Sequence, residues 1–321
     1  MRERQTDQER IGASQDALFE DNRPRATERE QARRALDDLF DLARKYKSTK
    51  EYADLLRFVA RFRFYSPYNA MLVHIQRPGS TYVAPAHRWL HHYHHRIKPD
   101  AQPLVILQPM GPIMFVFDVS DTDPMEDAPA LPDEVVRPFE IRRGHVSQEL
   151  DLTIENGKRD GVHVAERNSG SQAAGCIRVA KRGAYQEVVN KLKPAIEYVR
   201  VPVRYKILLT KEASREVNYA SVVHELAHLY CGHLGTPDRG WWPDRRGLSE
   251  QEVEFEAEST SFLVCKRLGI ETRSDEYLAG YLGGENNHEV PNISLERVMK
   301  AAGLIEQMGS VLLKPRKEKE K

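Results

Sequence analysis

The feature that most constrains the fold is the stretch Val223–Leu229, in which two histidines flank Glu-Leu-Ala. His224 and His228 are four residues apart, so on a helix they lie one turn above each other on the same face. Two neutral imidazoles in that relation can bind one divalent metal ion, and Glu225 can take a proton from a water that the metal activates. The stretch therefore predicts a metal site of the zinc hydrolase type. A chance match in a chain with 12 histidines is the alternative.

A helix that follows the motif offers a third ligand. Glu254 and Glu258 are four residues apart and share a face, whereas Phe255 and Phe262 lie on another. This pattern resembles the gluzincin arrangement, which implies that Glu254 binds the metal and that Glu258 accepts the other ring N–H of a ligating histidine. Glu256 is expected to take no part in metal binding. The alternative is that the acids are solvated on the helix surface.

Two nearby residues compete with Glu254 for the place of third ligand. On a continuous helix His233 is turned about 140° from His228, so we expect it to face elsewhere. The metzincin pattern would need a glycine at position 231 and a histidine at position 234, and the chain has Cys231 and Leu234 there. Cys231 is interpreted as a small buried thiol rather than a soft ligand.

Composition excludes several classes of protein. Lys plus Arg and Asp plus Glu both total 48 in the 321 residues, so a nucleic-acid-binding surface would have to be local. No apolar run approaches the roughly 20 residues that span a bilayer, and the N-terminus lacks the apolar core of a signal peptide. Three cysteines without a C-x-x-C pair are typical of a reducing compartment, so we expect a cytoplasmic protein without membrane contact.

Changes in composition along the chain predict an α+β protein with two domains. Strand patterns at Pro103–Leu107 and Ile113–Val119 follow helical ones, and a proline-rich acidic stretch, Ser120–Pro138, separates them from the motif-bearing part. The predicted parts are a disordered or loosely ordered tail (1–33), a small N-terminal α+β domain (34–128), a metal-binding domain (129–313) and a charged tail (314–321).

The motifs resemble a known family. The H-E-x-x-H stretch, with the helix from Glu254 to Phe262, is similar to ImmA/IrrE-type zincin peptidases and to the metallopeptidase domain of ArdC-type antirestriction proteins. The N-terminal part resembles the single-stranded-DNA-binding domain of the ArdC type. That second resemblance is carried by Tyr65–Leu72 (YSPYNAML), Gln76–Gly79 (QRPG), Trp89, Pro103–Leu107 (PLVIL) and Phe115–Val119 (FVFDV).

The resemblance implies a zincin-like, gluzincin-type fold for the second domain and a metallopeptidase activity. It implies one divalent metal ion, with zinc expected, held by His224, His228 and Glu254, with Glu225 as the catalytic base and Glu258 orienting a ligand. The substrate would be a protein or peptide, which includes the case of a single repressor or partner. A role in antirestriction or regulation on a mobile element is implied as well.

Two further predictions concern binding. Basic and aromatic residues alternate along the N-terminal part, and arginines neutralise phosphates while exposed rings stack on bases. The resemblance therefore implies single-stranded DNA contacts at Arg61, Arg63, Tyr65, Tyr68, Asn69 and Arg77; without it, core aromatics and solvated arginines are the better interpretation. The cluster His91–His95 is weighed as a second metal site against ordinary surface histidines.

Alternatives remain for the function and for parts of the site. In one, the protein is a DNA-binding antirestriction protein whose metal domain is structural; in another, it is a regulator that only binds a partner. Tyr219, Arg245 and Arg246 are candidates for stabilising an oxyanion. The pair Trp241–Trp242 either covers a substrate cleft or forms a structural aromatic loop.

Overall fold

The computed structural model describes residues 49–108, 111–136, 144–167, 175–191, 196–211, 213–272 and 290–316, together with Ser274 and Leu278. The predicted tail, 1–33, lies outside the described residues, and so does most of the charged tail at 314–321. The described part combines helices with several small sheets, so the α+β prediction is confirmed.

The helices and strands have the following bounds. The helices are α1 (Thr49–Arg61), α2 (Pro67–Gln76), α3 (Ala86–Tyr93), α4 (Asp133–Val136), α5 (Glu149–Arg159), α6 (Arg215–Tyr230), α7 (Glu250–Leu268) and α8 (Leu295–Ser310). The strands are β1 (Val83–Ala84), β2 (His95–Ile97), β3 (Leu104–Gln108), β4 (Gly111–Asp118), β5 (Thr122–Pro124), β6 (Val162–Arg167), β7 (Gly175–Val179), β8 (Tyr185–Lys191), β9 (Glu197–Pro202) and β10 (Tyr205–Thr210).

The described residues fall into two compact units, one within 75–131 and the other within 49–74 and 132–316. The predicted domains, 34–128 and 129–313, differ from these units in the place of residues 49–74. Those residues pack with the motif-bearing part: the Tyr52 hydroxyl donates to Ser259 Oγ at 2.8 Å. The Arg267 guanidinium also donates to the backbone carbonyls of Val59, Phe62 and Tyr65.

The first unit is organised by an antiparallel sheet in the order β1-β4-β3 and by the pair β2-β5. The predicted strands near 103–107 and 113–119 are confirmed as the antiparallel pair β3 and β4. Trp89 of α3 is fully buried, and its indole N–H donates to the Phe117 carbonyl at 2.9 Å. This aromatic anchor fixes α3 on the sheet.

The second unit places the H-E-x-x-H helix on a three-stranded sheet. Strand β10 lies in the middle, parallel to β6 and antiparallel to β7. Helix α6 packs on β7 and β10 and against α5, α7 and α8. Strands β8 and β9 form a separate antiparallel pair. Among the described residues, none of the helices combines the length and the apolar character that a membrane span requires.

Helices α6 and α7 start at side-chain caps. Ser214 Oγ accepts from the Val217 amide at the start of α6. Ser249 and Glu252 form a capping box at the start of α7. These caps satisfy amides that have no partner within the helix and set where each helix begins.

The end of α6 is a Schellman turn. Gly232 has φ +91°, its amide donates to the Leu229 carbonyl, and the His233 amide donates to the His228 carbonyl at 3.0 Å. A Cβ at position 232 would also lie 2.3 Å from the Pro243 carbonyl oxygen, so glycine is required there for two reasons. The chain therefore turns back on itself at Gly232 instead of continuing the helix.

Candidate metal centre

The two histidines of the motif meet at their ring nitrogens on one face of α6. Their Nε2 atoms are 3.2 Å apart. His228 is largely buried, and burial, with the neighbouring His224 and His233, lowers its pKa to about 3. His228 is therefore neutral near pH 7, as a metal ligand must be.

Helix α7 brings Glu254 to the same point. Its carboxylate oxygens lie 3.7 Å from His224 Nε2 and 3.6 Å from His228 Nε2. A tetrahedral zinc ion with nitrogen and oxygen ligands at 2.0–2.1 Å separates those ligands by about 3.3–3.4 Å. The three observed separations, from 3.2 to 3.7 Å, are close to that value. The residues present therefore fit a zinc-type ion, and His224, His228 and Glu254 form a group that could hold a metal.

Glu225 is directed toward β7. Its Oε2 atom accepts a hydrogen bond from the Ile177 backbone amide at 2.7 Å. Burial raises the pKa of the Glu225 carboxyl; His224 and the Ile177 amide oppose that shift, and Glu254 adds to it. One carboxylate oxygen is thus held by the strand, and the carboxyl interacts electrostatically with two of the three candidate ligands.

Glu258 lies near Nδ1 of His224, whereas Nε2 of the same ring faces Glu254. Its Oε1 atom is 3.6 Å from His224 Nδ1, which is an ion-pair distance rather than a good hydrogen bond. The position agrees with a residue that orients His224. Both side chains are partly exposed, at 23% for His224 and 19% for Glu258.

The expectation that His233 faces elsewhere is wrong. Its Nδ1 atom lies 3.1 Å from His228 Nδ1, on the side of the ring opposite Nε2. The 140° argument assumed a continuous helix, but the Schellman turn at Gly232 brings His233 back to His228. His233 remains outside the donor group of Glu254 and contacts that group through His228.

Sequence reasoning also missed a buried network behind His233. Glu256 Oε2 is 3.0 Å from His233 Nε2, and the Arg245 guanidinium donates to both Glu256 oxygens at 2.5 and 2.7 Å. The Ser294 amide donates to Glu256 Oε1 at 2.7 Å. Burial alone would raise the pKa of Glu256, but these hydrogen bonds hold it below its usual value.

The signals that could have revealed this network are local. Gly232 is the residue type that commonly ends a helix in a Schellman turn, and such a turn brings the next residue, His233, back toward the last helical turn. A buried histidine then requires a partner, and Glu256 on α7 lies on the face opposite Glu254.

The residues weighed for oxyanion stabilisation are engaged elsewhere. Tyr219 is buried, with its hydroxyl beside Gly309 of α8. Arg245 holds Glu256, and the exposed Arg246 pairs with Asp244. Trp242 is buried and its indole N–H donates to the Gly235 carbonyl at 2.8 Å, which favours the structural interpretation of the Trp-Trp loop.

The predicted DNA-contacting residues are distributed over both units. Arg77 lies in the first unit and is paired with Asp121, whereas the others lie in the second. Tyr68 is buried, with Lys300 over its ring, and Arg63 donates to the Lys266 carbonyl. Arg61 is exposed, and Tyr65 and Asn69 are half-buried. The DNA contacts stay a prediction.

The histidine cluster at 91–95 shows ordinary local partners. His94 pairs with the exposed Asp127, and the buried His95 contacts Thr122 Oγ1 at 2.8 Å. Within the described ranges, the groups of residues that could hold a metal do not include these histidines.

Geometry therefore defines a candidate mononuclear metal centre with two histidine ligands and one glutamate ligand.

Comparisons with known proteins add little to this candidate centre. No family model matches the chain, and no curated protein sequence matches it. The chain is similar to the crystal structure of the antirestriction ArdC protein from the R388 plasmid, solved in a metal-free form. The identity is 13%, 77% of this chain and 83% of that chain are covered, and the TM-score is 0.31. A similarity of that size does not establish a shared fold.

Proposed function

We propose that the protein is a metal-dependent peptide hydrolase with a zincin-like centre. His224, His228 and Glu254 hold one divalent ion, for which zinc is the expected identity, and Glu225 is the general base. The observation that carries the proposal is the convergence of three donor atoms from two helices, 3.2 to 3.7 Å apart. Glu225 directly follows His224 in the chain.

The ion and the base divide the chemistry. When bound, a divalent ion supplies Lewis acidity, which makes water a better nucleophile and polarises a substrate carbonyl. Glu225 accepts the proton of the attacking water on a carboxylate oxygen and later gives it to the leaving amine. Because the Ile177 amide already donates to Oε2, we assign the transfer to Oε1.

The position of β7 supports a peptide substrate. Within the described strands, β7 pairs only with β10, so its other edge has no strand neighbour. The Ile177 amide on β7 points to Glu225, which places that edge beside the candidate base. Extended peptides bind by adding a strand to such an edge, with backbone hydrogen bonds that tolerate varied side chains.

The test uses Glu225→Gln, which keeps the shape of the side chain and removes its basicity. The zinc-loaded protein and the variant are incubated with a complex peptide mixture, and new termini are counted by mass spectrometry. We expect the variant to keep its zinc and to lose about 10²- to 10⁴-fold in cleavage rate. Glu250→Gln, at an exposed position on α7, is the matched control and should cleave normally. Equal cleavage by Glu225→Gln and the native chain would contradict the proposal.

We propose single-stranded DNA as a second ligand, bound near the loop between α1 and α2. Two side chains support this proposal: Arg61, exposed at the end of α1, and Phe64, which is 41% exposed. A guanidinium can bind a phosphate, and an exposed ring can stack on a base. A salt-dependent gel shift with single-stranded DNA should weaken in Arg61→Ala. It should not weaken in Arg57→Ala, whose guanidinium pairs with Asp54. If Arg61→Ala bound single-stranded DNA as tightly as the native chain, Arg61 would be excluded from the interface.

A further inference from the structure

We infer that His233 is a positioning residue for the metal ligand His228, and that Glu256 and Arg245 hold His233 in that role. The inference deepens the proposed function and rests on its metal centre. His233 lies on the side of His228 opposite the candidate metal site, so it acts on the ligand and does not touch substrate.

The argument starts from the protons on the two rings. His228 can ligate through Nε2 only if that atom carries a lone pair, so in the neutral ring the proton sits on Nδ1. The partner of Nδ1 is His233 Nδ1 at 3.1 Å, which must then accept. His233 consequently carries its own proton on Nε2 and donates it to Glu256 Oε2 at 3.0 Å. The opposite assignment would put a proton on His228 Nε2 and block ligation.

Glu256 fixes the direction of this chain of hydrogen bonds. It is fully buried and accepts from His233, from two guanidinium N–H groups of Arg245 and from the Ser294 amide. A carboxylate with an Arg245 partner remains ionised and can only accept, so the proton between it and His233 belongs to His233. A buried acceptor therefore sets which His228 nitrogen is available to a metal.

The buried residues Cys231, His233 and Glu256 could by their positions also hold a metal themselves. Arg245 argues against this, because its guanidinium lies 2.5 Å from the same Glu256 oxygen that His233 contacts. A cation there would have to displace a buried positive group. We therefore expect one zinc ion per chain, and a second ion lost on His233 substitution would overturn the positioning role.

The experiment compares His233→Leu with His233→Asn. The two side chains have nearly the same size and both lose the contact to Glu256, but only asparagine offers an oxygen to the His228 Nδ1–H. Zinc affinity is measured by competition with a chelator. We expect a 10- to 100-fold loss for leucine, the range for partners that orient a ligand, and a loss of about 3-fold or less for asparagine. An unchanged affinity for leucine, or equal losses in both variants, would overturn the inference.

A second readout separates this inference from the proposed function. In the metal-free native chain, ¹⁵N NMR should show the His228 proton on Nδ1, although free neutral imidazole side chains favour the Nε2 tautomer. His233→Leu should shift the proton to Nε2, and His233→Asn should restore it to Nδ1. A native chain that binds no divalent ion but shows the Nδ1 tautomer would contradict the proposed metal centre, whereas the hydrogen bond from His228 to His233 would remain supported. A proton on Nε2 in the native chain would overturn the positioning role.

Discussion

The two histidines of the motif are one helical turn apart, yet their surroundings differ sharply. The partner of His224 Nδ1 is Glu258, at 3.6 Å and partly exposed. The partner of His228 Nδ1 is His233, whose side chain is 3% exposed, and Glu256 behind it is 0% exposed. The candidate centre therefore has a surface side, where the partly exposed Glu258 lies next to His224, and a core side, where the buried His233 and Glu256 lie behind His228. The comparison teaches that an identical residue in a short motif can be held by quite different physical means.

Glu254 belongs to the surface side of that division. Its side chain is 43% exposed, whereas Glu256, two residues further along α7, is completely buried. Water, metal and substrate can therefore approach from the side of Glu254 and His224. The core side is closed and keeps His228 in one orientation.

The largest expected effect comes from breaking the core side. Glu256→Ala leaves Arg245 and His233 in the interior without their acceptor, and loss of one partner of a buried ion pair costs about 3–5 kcal/mol. We expect the free energy of unfolding, measured by urea denaturation of the metal-free protein, to fall by about that amount. A loss below about 1 kcal/mol would show that the core network is not essential to the fold.

Breaking the surface side should separate metal binding from stability. Glu254→Ala removes the proposed third ligand. We therefore expect zinc affinity to fall by more than about 100-fold, which is the largest loss expected for a residue that only orients a ligand. The free energy of unfolding of the metal-free chain should change by no more than about 0.5 kcal/mol, as is usual for an exposed residue. Chelator competition and urea denaturation measure the two quantities. Retention of full zinc affinity would exclude Glu254 as the third ligand.

The smallest effect is expected for the partner of His224. Glu258→Ala should weaken zinc binding by about 10-fold, at the low end of the range for orienting residues, because water can replace the partly exposed carboxylate. The His233→Leu variant is the matched comparison, and it should lose more. A larger loss for Glu258→Ala than for His233→Leu would reverse the ranking of the two sides.

Sequence reasoning succeeded where the signal was periodic. Four-residue spacing on one helix face brings His224 and His228 together, and the same rule places Glu254 and Glu258 toward them from α7. It failed at His233 because periodicity describes a helix and not the turn that ends it. Gly232 adopts a positive φ, and the direction of the chain beyond it cannot be extrapolated from 100° per residue.

Packing between segments that are distant in the chain was harder to predict from the sequence. Residues 49–74 pack with the motif-bearing unit through pairs such as Tyr52 and Ser259, which are 207 positions apart. The alternation of arginines and aromatics could not distinguish an exposed ring from a buried one, and Tyr68 is buried. Which side chain fills a core depends on partners that a local pattern does not contain.

Helix α7 carries five glutamates at alternate positions, from 250 to 258, and the last three, at 254, 256 and 258, look equivalent in the sequence. The helix turns Glu256 into the interior and leaves Glu254 on the rim. In evolutionary terms, one substitution at 254 would remove a candidate ligand from a descendant and leave the buried network of Glu256 in place. A change at 256 would instead destabilise the core, because His233 and Arg245 would lose their buried acceptor. The candidate centre could thus be lost in evolution by a single substitution without loss of the fold.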